Sequence, residues 1–446
     1  MFENVLGQSA LRQLSADIGG GRLAPSLLFS GPDASGKGSA VLELGRALSC
    51  ENPGAPWNCS CHACVRHRRL IHPDLLVLGP RNFSAEIAAS AAAFLRDPAV
   101  QAVRFLFVRS VRKLLARFSP VLWENDPKIN KLNPLLQALD ENLDDLDAAE
   151  EGGIQKTTDA ILKNAFKLEA EGLGDLIPVD HIRRAAWWSR LAPQGKRKLL
   201  VIENADRMRD EARNSLLKIL EEPPETVTIV LTTACPGALL PTVVSRLRPY
   251  RFIARDRGVE TEVIRKIFRD PRSPLDPAFS GGGLIRRYLD SFLPGSAETL
   301  QPLAALFAAS VAGGAAAELE RSGAAADEAL TRLCALCAPI AEKAGLGKPL
   351  EDAKALAAKV LEVADKFENR SRFALFLRSL LSLTGESLAA SRNGIAYRDM
   401  WSAAAREANT AVGTYNLSPS MALERLIAEL RRSMVCHGAP YMGALR

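Results

Sequence analysis

Two clusters of side chains in this chain have the types and spacing to do chemistry. The first is "GPDASGKGSA", Gly31 to Ala40. Glycines at 31 and 36 and a lysine at 37 nearly complete the phosphate-binding pattern G-x-x-x-x-G-K-[ST]. Such a loop works because successive backbone N–H groups point inward and the following helix begins with its positive end. Gly31 and Gly36 allow the tight path, Ser35, Gly38 and Ser39 flank the phosphate position, and Lys37 would reach the outer phosphates. The hydroxyl that normally ligates Mg²⁺ is missing: Gly38 occupies its position, and Ser39 is one residue late, about a quarter-turn away on a helix. A second departure lies far along the chain. "KRKLLVIENADRM" reads as a strand that should end in an acidic pair, the first for the metal and the second for the attacking water, but it ends Glu203-Asn204. The positions that cradle phosphate are kept and those that serve metal and water are altered. The expectation is weak to moderate binding of ATP or ADP, with or without Mg²⁺, and slow or absent hydrolysis.

The second cluster is Cys50, Cys59, Cys61 and Cys64, four of the chain's eight cysteines. Four thiolates at this density suit tetrahedral Zn²⁺ in a structural role, because four protein ligands leave no open position. Binding of that kind can supply roughly 10–16 kcal/mol of folding free energy, here to a loop rich in Pro53, Gly54 and Pro56. The spacing from Cys59 to Cys61 is short, so His62 is an alternative fourth ligand. Cys334 and Cys337 form a C-x-x-C within an alanine-rich helical stretch and read as packing residues.

The elements that must position these groups follow from hydrophobic period. "APSLLFSG" (24–31), "HPDLLVLGP" (72–80), "KRKLLVIENADRM" (196–208) and "TVTIVLTT" (226–233) read as strands, with helical patterns between them. Strands alternating with helices predict a parallel sheet covered on both faces. From 81 to 176 strand signals vanish, and "SAEIAASAAAFLRDP", "VRKLLARFSPVLWE" and "NPLLQALDENLDDLDAAEE" predict a helical insertion whose acidic run is a solvated face. From about 296 the chain is alanine- and leucine-rich helix, which predicts an all-α C-terminal bundle. With 47% hydrophobic and 24% charged residues over 446, there is ample core, and the net charge of +6 permits contact with a polyanion without requiring it. No basic-then-apolar leader opens the chain and no membrane partner is expected, so a cytoplasmic protein is anticipated.

Together these residues resemble the AAA+ clamp-loader subunits of bacterial DNA polymerase III, the delta-prime branch more than gamma/tau. The stretches that carry the resemblance are "FENVLGQSALRQLSADIGGGRLAPSLLFSGP", the cysteine loop after the first helix of the phosphate loop, "IPVDHIRRAAWWSRLAPQGKRKLLVIENADRMRDEARNSLLKILEEPPETVTIVLTT", "LLPTVVSRLRPYRF" and "NLSPSMALERLIAEL". They cover about 1–80, 177–295 and the last seventy residues, leaving the insertion unaccounted for. The resemblance implies a RecA-like AAA+ core over 1–255 containing the zinc loop (50–64) and the insertion (about 81–176), a small helical lid over 256–295 and a helical collar over 296–446. It implies that Arg246 is an arginine finger offered in trans, that Thr233 (or Thr232) is the sensor after the fourth strand, and that Arg286 is the lid sensor, with Arg287 adjacent. It implies a stator in a ring with gamma/tau and delta subunits that loads a sliding clamp on primed DNA. Gly38, Asn204 and Leu247, where the family motif has cysteine, depart from the pattern. An ATP-hydrolysing gamma/tau-like motor and an AAA+ nucleotide-dependent adaptor are the alternatives. Arg183, Arg184, Lys196, Arg197 and Lys198 could meet duplex phosphate.

Overall fold

The computed structural model describes residues 1–148, 151–174, 176–271, 283–293, 300–323, 327–364, 370–388, 394–413 and 417–438. They group into two compact units, the first comprising Met1–Ser273 with Gly283–Leu289 and the second beginning at Asp290. Gly281 and Gly282 of the glycine cluster, and Ala149 and Glu150 of the acidic run, lie outside the described residues.

The first unit is built on five parallel strands: β1 (Ser26–Ser30), β2 (Leu75–Leu78), β3 (Lys198–Ile202), β4 (Val227–Thr233) and β5 (Arg248–Arg251), in the order β2-β3-β4-β1-β5. Every residue of β1, β3 and β4 is buried, which requires cover on both faces of the sheet. Their apolar, β-branched runs contain no alternation because neither side meets water. Four strands match the sequence reading, each shorter than the run that announced it. The fifth, β5, escaped that reading. It is an edge strand reading "RPYR", whose inward residue Tyr250 is edge-on to Phe29 at 5.6 Å. The core around them includes Leu14, Leu27, Phe29, Val41, Leu44, Val201 and Val230, all 1% exposed or less.

Between β2 and β3 the chain makes helices Ser84–Arg96, Gln101–Leu115, Pro127–Ala148, Glu151–Gly172 and Val179–Arg190, with short helical turns and loops between, and no strand among the described residues. Phe94 stacks on Phe107 at 5.8 Å, and the Ser90 and Ser110 hydroxyls meet at 2.7 Å beneath them. Helix Ser84–Arg96 has no cap of its own. Glu169, from the last helix of the insertion, accepts the Phe83 and Ser84 N–H groups at 2.8 Å each and so caps it from a distance. Beyond the sheet, Asp270 is buried at 3% exposure and takes the Tyr288 hydroxyl and the Arg96 guanidinium.

The second unit has no strand among its described residues and is built of the helices Gln301–Arg321, Glu328–Lys343, Ala353–Val363, Arg370–Leu388, Gly394–Gly413 and Pro419–Gly438. Helix Gln301–Arg321 is apolar on nearly every face and forms its centre. By length and composition it could cross a membrane, but 78% of its apolar window is buried inside the protein. Phe307 on it meets Phe376 and Trp401 edge-on at 5.5 and 6.5 Å. Cys337 is buried among these helices and burial pushes its thiol up to about 12, as suits a packing residue.

Candidate nucleotide site and cysteine cluster

The C-terminal ends of β1, β3 and β4 place most of the sequence-predicted nucleotide residues together. Gly31 follows β1 and donates its N–H to Thr233 O at 3.1 Å, so the loop starts beside the end of β4. A Cβ on Gly31 would lie 2.2 Å from Phe252 O. Gly36 adopts φ +95, a conformation side chains rarely take, and leads directly into helix Lys37–Ser49. Lys37 is buried and folds back on its own loop, donating to Gly31 O at 2.5 Å and Pro32 O at 2.6 Å, with Ser35 Oγ at 3.5 Å. Burial pulls its ammonium below the usual lysine range against the pull of Asp33, Glu203 and Asp206. Ser39 lies in the first turn of the helix. Arg255 reaches over the loop to Ala34 O and Leu6 O and crowds the face of Gly36.

Glu203 follows β3, as expected, but its carboxylate is already committed. Arg117 pairs with Oε2, and Arg81 lies 3.5 Å from Oε1. Both guanidiniums lie over the Phe83 ring, at 5.1 and 5.6 Å from its centroid. Arg81 also pairs with Glu86, which holds Lys113 as well. Burial alone would raise the Glu203 carboxyl, but Arg117, Arg81 and Lys113 outweigh it and hold the group below the usual carboxylate range. A Cβ on residue 38 would meet Arg81 Nη1 and Glu203 Oε1 at 3.0 Å each, so the place of the absent hydroxyl is filled.

Asn204 has left-handed backbone geometry, φ +50, and its amide donates to Pro80 O at 2.6 Å. It shapes the turn after β3 and faces the β2 turn, with the Thr232 hydroxyl accepting its N–H at 3.3 Å. Thr233 donates to Asp206, and its Oγ accepts Cys235 N–H at 2.9 Å. Arg246 follows the short helix Pro241–Val244, bonds Thr242 O at 2.6 Å and Glu221 at 2.7 Å, and is one-third exposed; these partners are not loop residues. Arg286 lies half-buried on helix Leu284–Asp290. Leu247 is buried, so the position that departs from the family motif is filled by a core side chain.

Arg81, Glu86, Lys113 and Arg117 were not singled out by sequence reading. Lys113 lies in the last turn of the helix Gln101–Leu115 and Arg117 in the turn after it, and no local pattern there points to Glu86 or Glu203.

The four cysteines converge. The sulfurs of Cys50, Cys59, Cys61 and Cys64 all lie within 4.8 Å of one another, and the Cys50 and Cys59 sulfurs are 3.6 Å apart. Sulfurs each about 2.3 Å from a central zinc in a tetrahedron stand just under 4 Å apart, so the set fits. Polar groups point at the sulfurs: Asn52 Nδ2 at 3.1 Å and Cys61 N–H at 3.5 Å from Cys59, and Arg46 Nη1 at 3.1 Å from Cys64. Arg46 is 1% exposed, forks onto Glu43 and also holds Ala55 O and Pro56 O of the loop. Burial works against its charge, and Glu43 with the Cys64 sulfur overcomes that, so the guanidinium stays firmly cationic. Donors to sulfur of this kind stabilise thiolates and metal-bound sulfur.

A parallel sheet with a phosphate-type loop after the inner strand β1 and a helical insertion between β2 and β3 is an α/β architecture. The profile of the family described as DNA polymerase III, delta subunit, matches residues 7–130 and 140–256, and the chain belongs to that clamp-loader family. The match runs through most of the helical insertion, which the resemblance read from motifs had left out, and stops short of the second unit. The delta' subunit of Bacillus subtilis DNA polymerase III is 38% identical over 82 residues, 17% of this chain and 25% of that protein. The delta' subunit of Pseudomonas aeruginosa is 39% identical over 82 residues, 18% of this chain and 25% of its own length. The gamma/tau subunit of Mycobacterium tuberculosis is 27% identical over 145 residues, 30% of this chain and 25% of that protein. The chain thus spans about a quarter of the length of the curated relatives it matches. The solved structure of a DNA polymerase III gamma subunit-related protein from Thermotoga maritima is 18% identical, covers 58% of this chain and 81% of that one, and has a TM-score of 0.31.

Proposed function

We propose that this chain is a delta-prime-like stator of the clamp loader of bacterial DNA polymerase III. It would take one place in a ring with gamma/tau and delta subunits and help load the sliding clamp onto primed DNA in the cytoplasm. Residues 1–255 act as the AAA+ core, 256–295 as the lid and 296–446 as the collar. The observation that carries the reading is the commitment of Glu203 to Arg117 and Arg81 next to a residue 38 without a hydroxyl. A loop so arranged binds ATP or ADP through Gly31, Ser35, Gly36, Lys37, Gly38 and Ser39 but lacks the hydroxyl at 38 and an uncommitted carboxylate at 203 with which to hold a metal for cleavage.

Arg246 is offered to the nucleotide of a neighbouring subunit. Its ion pair with Glu221 is solvent-exposed, so releasing it costs about 1 kcal/mol or less, while a finger in trans contributes roughly 10³–10⁵ in rate. Thr233 and Arg286 are assigned as sensors of nucleotide. Cys50, Cys59, Cys61 and Cys64 would hold a structural zinc that ties the loop to helix His62–Arg68.

The test is reconstitution with gamma/tau and delta subunits. The expected result is that the chain alone shows no ATPase, and that Arg246→Ala assembles normally but lowers the ATPase of the complex by at least an order of magnitude. An unchanged ATPase would refute the finger assignment. A second reading, an active gamma/tau-like motor, is favoured by the long match to the M. tuberculosis gamma/tau subunit. It requires steady-state turnover near once per second by this chain alone, on the order of ordinary enzyme rates.

A further inference from the structure

The clamp-loader family implies a divalent cation beside the loop, and the residues present do not fit one. Magnesium demands a near-octahedral shell of oxygens. At residue 38 there is no hydroxyl, and both Glu203 oxygens face guanidinium groups. The space a side chain at 38 would enter is bounded by Arg81 Nη1 at 3.0 Å. A cation placed there would add two positive charges against Arg81, Arg117 and Lys37 and would have to break a buried ion pair.

We infer that Arg81 stands in the place of the divalent cation, so that this loop accepts polyphosphate free of magnesium. The inference rests on the nucleotide-binding reading above and names the form of ligand the site takes. Arg81 is the most exposed of the three cations paired with Glu86 and Glu203. Its side chain is 30% exposed, whereas Arg117 is 4% exposed and Lys113 13%. Arg117 is fixed on Glu203, and Lys113 on Glu86, so these two neutralise the acids. Arg81 bridges both carboxylates at the mouth of the helix Lys37–Ser49. A guanidinium presents paired N–H donors that match phosphate oxygens. Lys37, now turned onto Gly31 O and Pro32 O, would exchange those carbonyls for phosphate.

The test is calorimetric titration of the full chain with ATP. One arm uses buffer stripped of divalent ions beforehand and free of chelator, since a chelator would attack the cysteine cluster; the other adds excess magnesium chloride. The expected result is binding in the magnesium-free arm, and weaker binding in the other because magnesium sequesters the free nucleotide. Arg81→Ala should weaken magnesium-free binding on the order of tenfold, the scale of a lost charged hydrogen bond. Binding only with magnesium overturns this inference and leaves the nucleotide site standing. Absence of binding in both arms overturns the nucleotide reading and this inference with it. The wild-type comparison decides the matter even if Arg81→Ala folds poorly.

Discussion

Glu86 holds the cation cluster together, and its removal has a calculable consequence. Its side chain is 13% exposed and pairs with Lys113 and Arg81. Burial pushes the carboxyl up, but Lys113, Arg81 and Arg109 overcome it and bring the group from 4.5 down to about 2. At about 1.4 kcal/mol per unit, that difference is worth about 3 kcal/mol of folding stability at neutral pH. The sign follows from the direction. The folded carboxyl titrates below the unfolded one, so the stabilisation is complete above the unfolded value and fades as pH falls through the folded value. Glu86→Gln, similar in shape but uncharged, should therefore cost the first unit about 3 kcal/mol at pH 7, less than half of that at pH 3 and little at pH 2. Urea unfolding followed by tryptophan fluorescence reads this unit directly, because Trp57, Trp123, Trp187 and Trp188, four of the chain's five tryptophans, belong to it. A gap between wild type and variant that stays constant from pH 6 to pH 3, or no gap at all, would refute the electrostatic account of the cluster.

Cys64→Ser should abolish stoichiometric zinc by elemental analysis and open the loop 51–61 to protease, since Cys64 is the fully buried member of the set. Arg46→Met should cost about 3–5 kcal/mol in thermal or urea unfolding, because it strands the buried Glu43 carboxylate. The double variant Arg46→Met/Glu43→Gln should recover part of that loss. In the second unit, Phe307→Ala removes a fully buried ring between Phe376 and Trp401. It should cost about 3–5 kcal/mol, read as an earlier transition in Trp401 fluorescence.

The loop, the cysteine cluster and four strands were legible because each is local: a few residues at fixed spacing, or one unbroken apolar run between breakers. What stayed hidden depends on distance along the chain. Arg117 and Glu203 are 86 residues apart, and Glu169 caps a helix that begins 85 residues earlier. No pattern in either segment announces its partner. β5 was hidden for another reason. An edge strand of four residues, three of them exposed and one a proline, has no periodicity to detect, and only its pairing with β1 makes it a strand. Asn204 illustrates a residue with more than one reason. Reading it as a lost catalytic base is sound chemistry, but its left-handed backbone gives a second reason for the residue, since asparagine tolerates that geometry where most side chains do not.

The departures at residues 38 and 203 are coupled through Arg81, so they are not two independent losses. A carboxylate as buried as Glu203 needs a cation. With a hydroxyl at 38 and open space, a metal could supply it; with Arg117 and Arg81 in place, the chain supplies it itself. Restoring serine at 38 alone would press its Cβ against Arg81 and Glu203 at 3.0 Å. Removing Arg117 alone would leave Glu203 leaning on Arg81 with no metal ligand beside it. What the geometry fixes is a buried carboxylate after β3 neutralised by two arginines of the same chain, beside a residue 38 that carries no side chain.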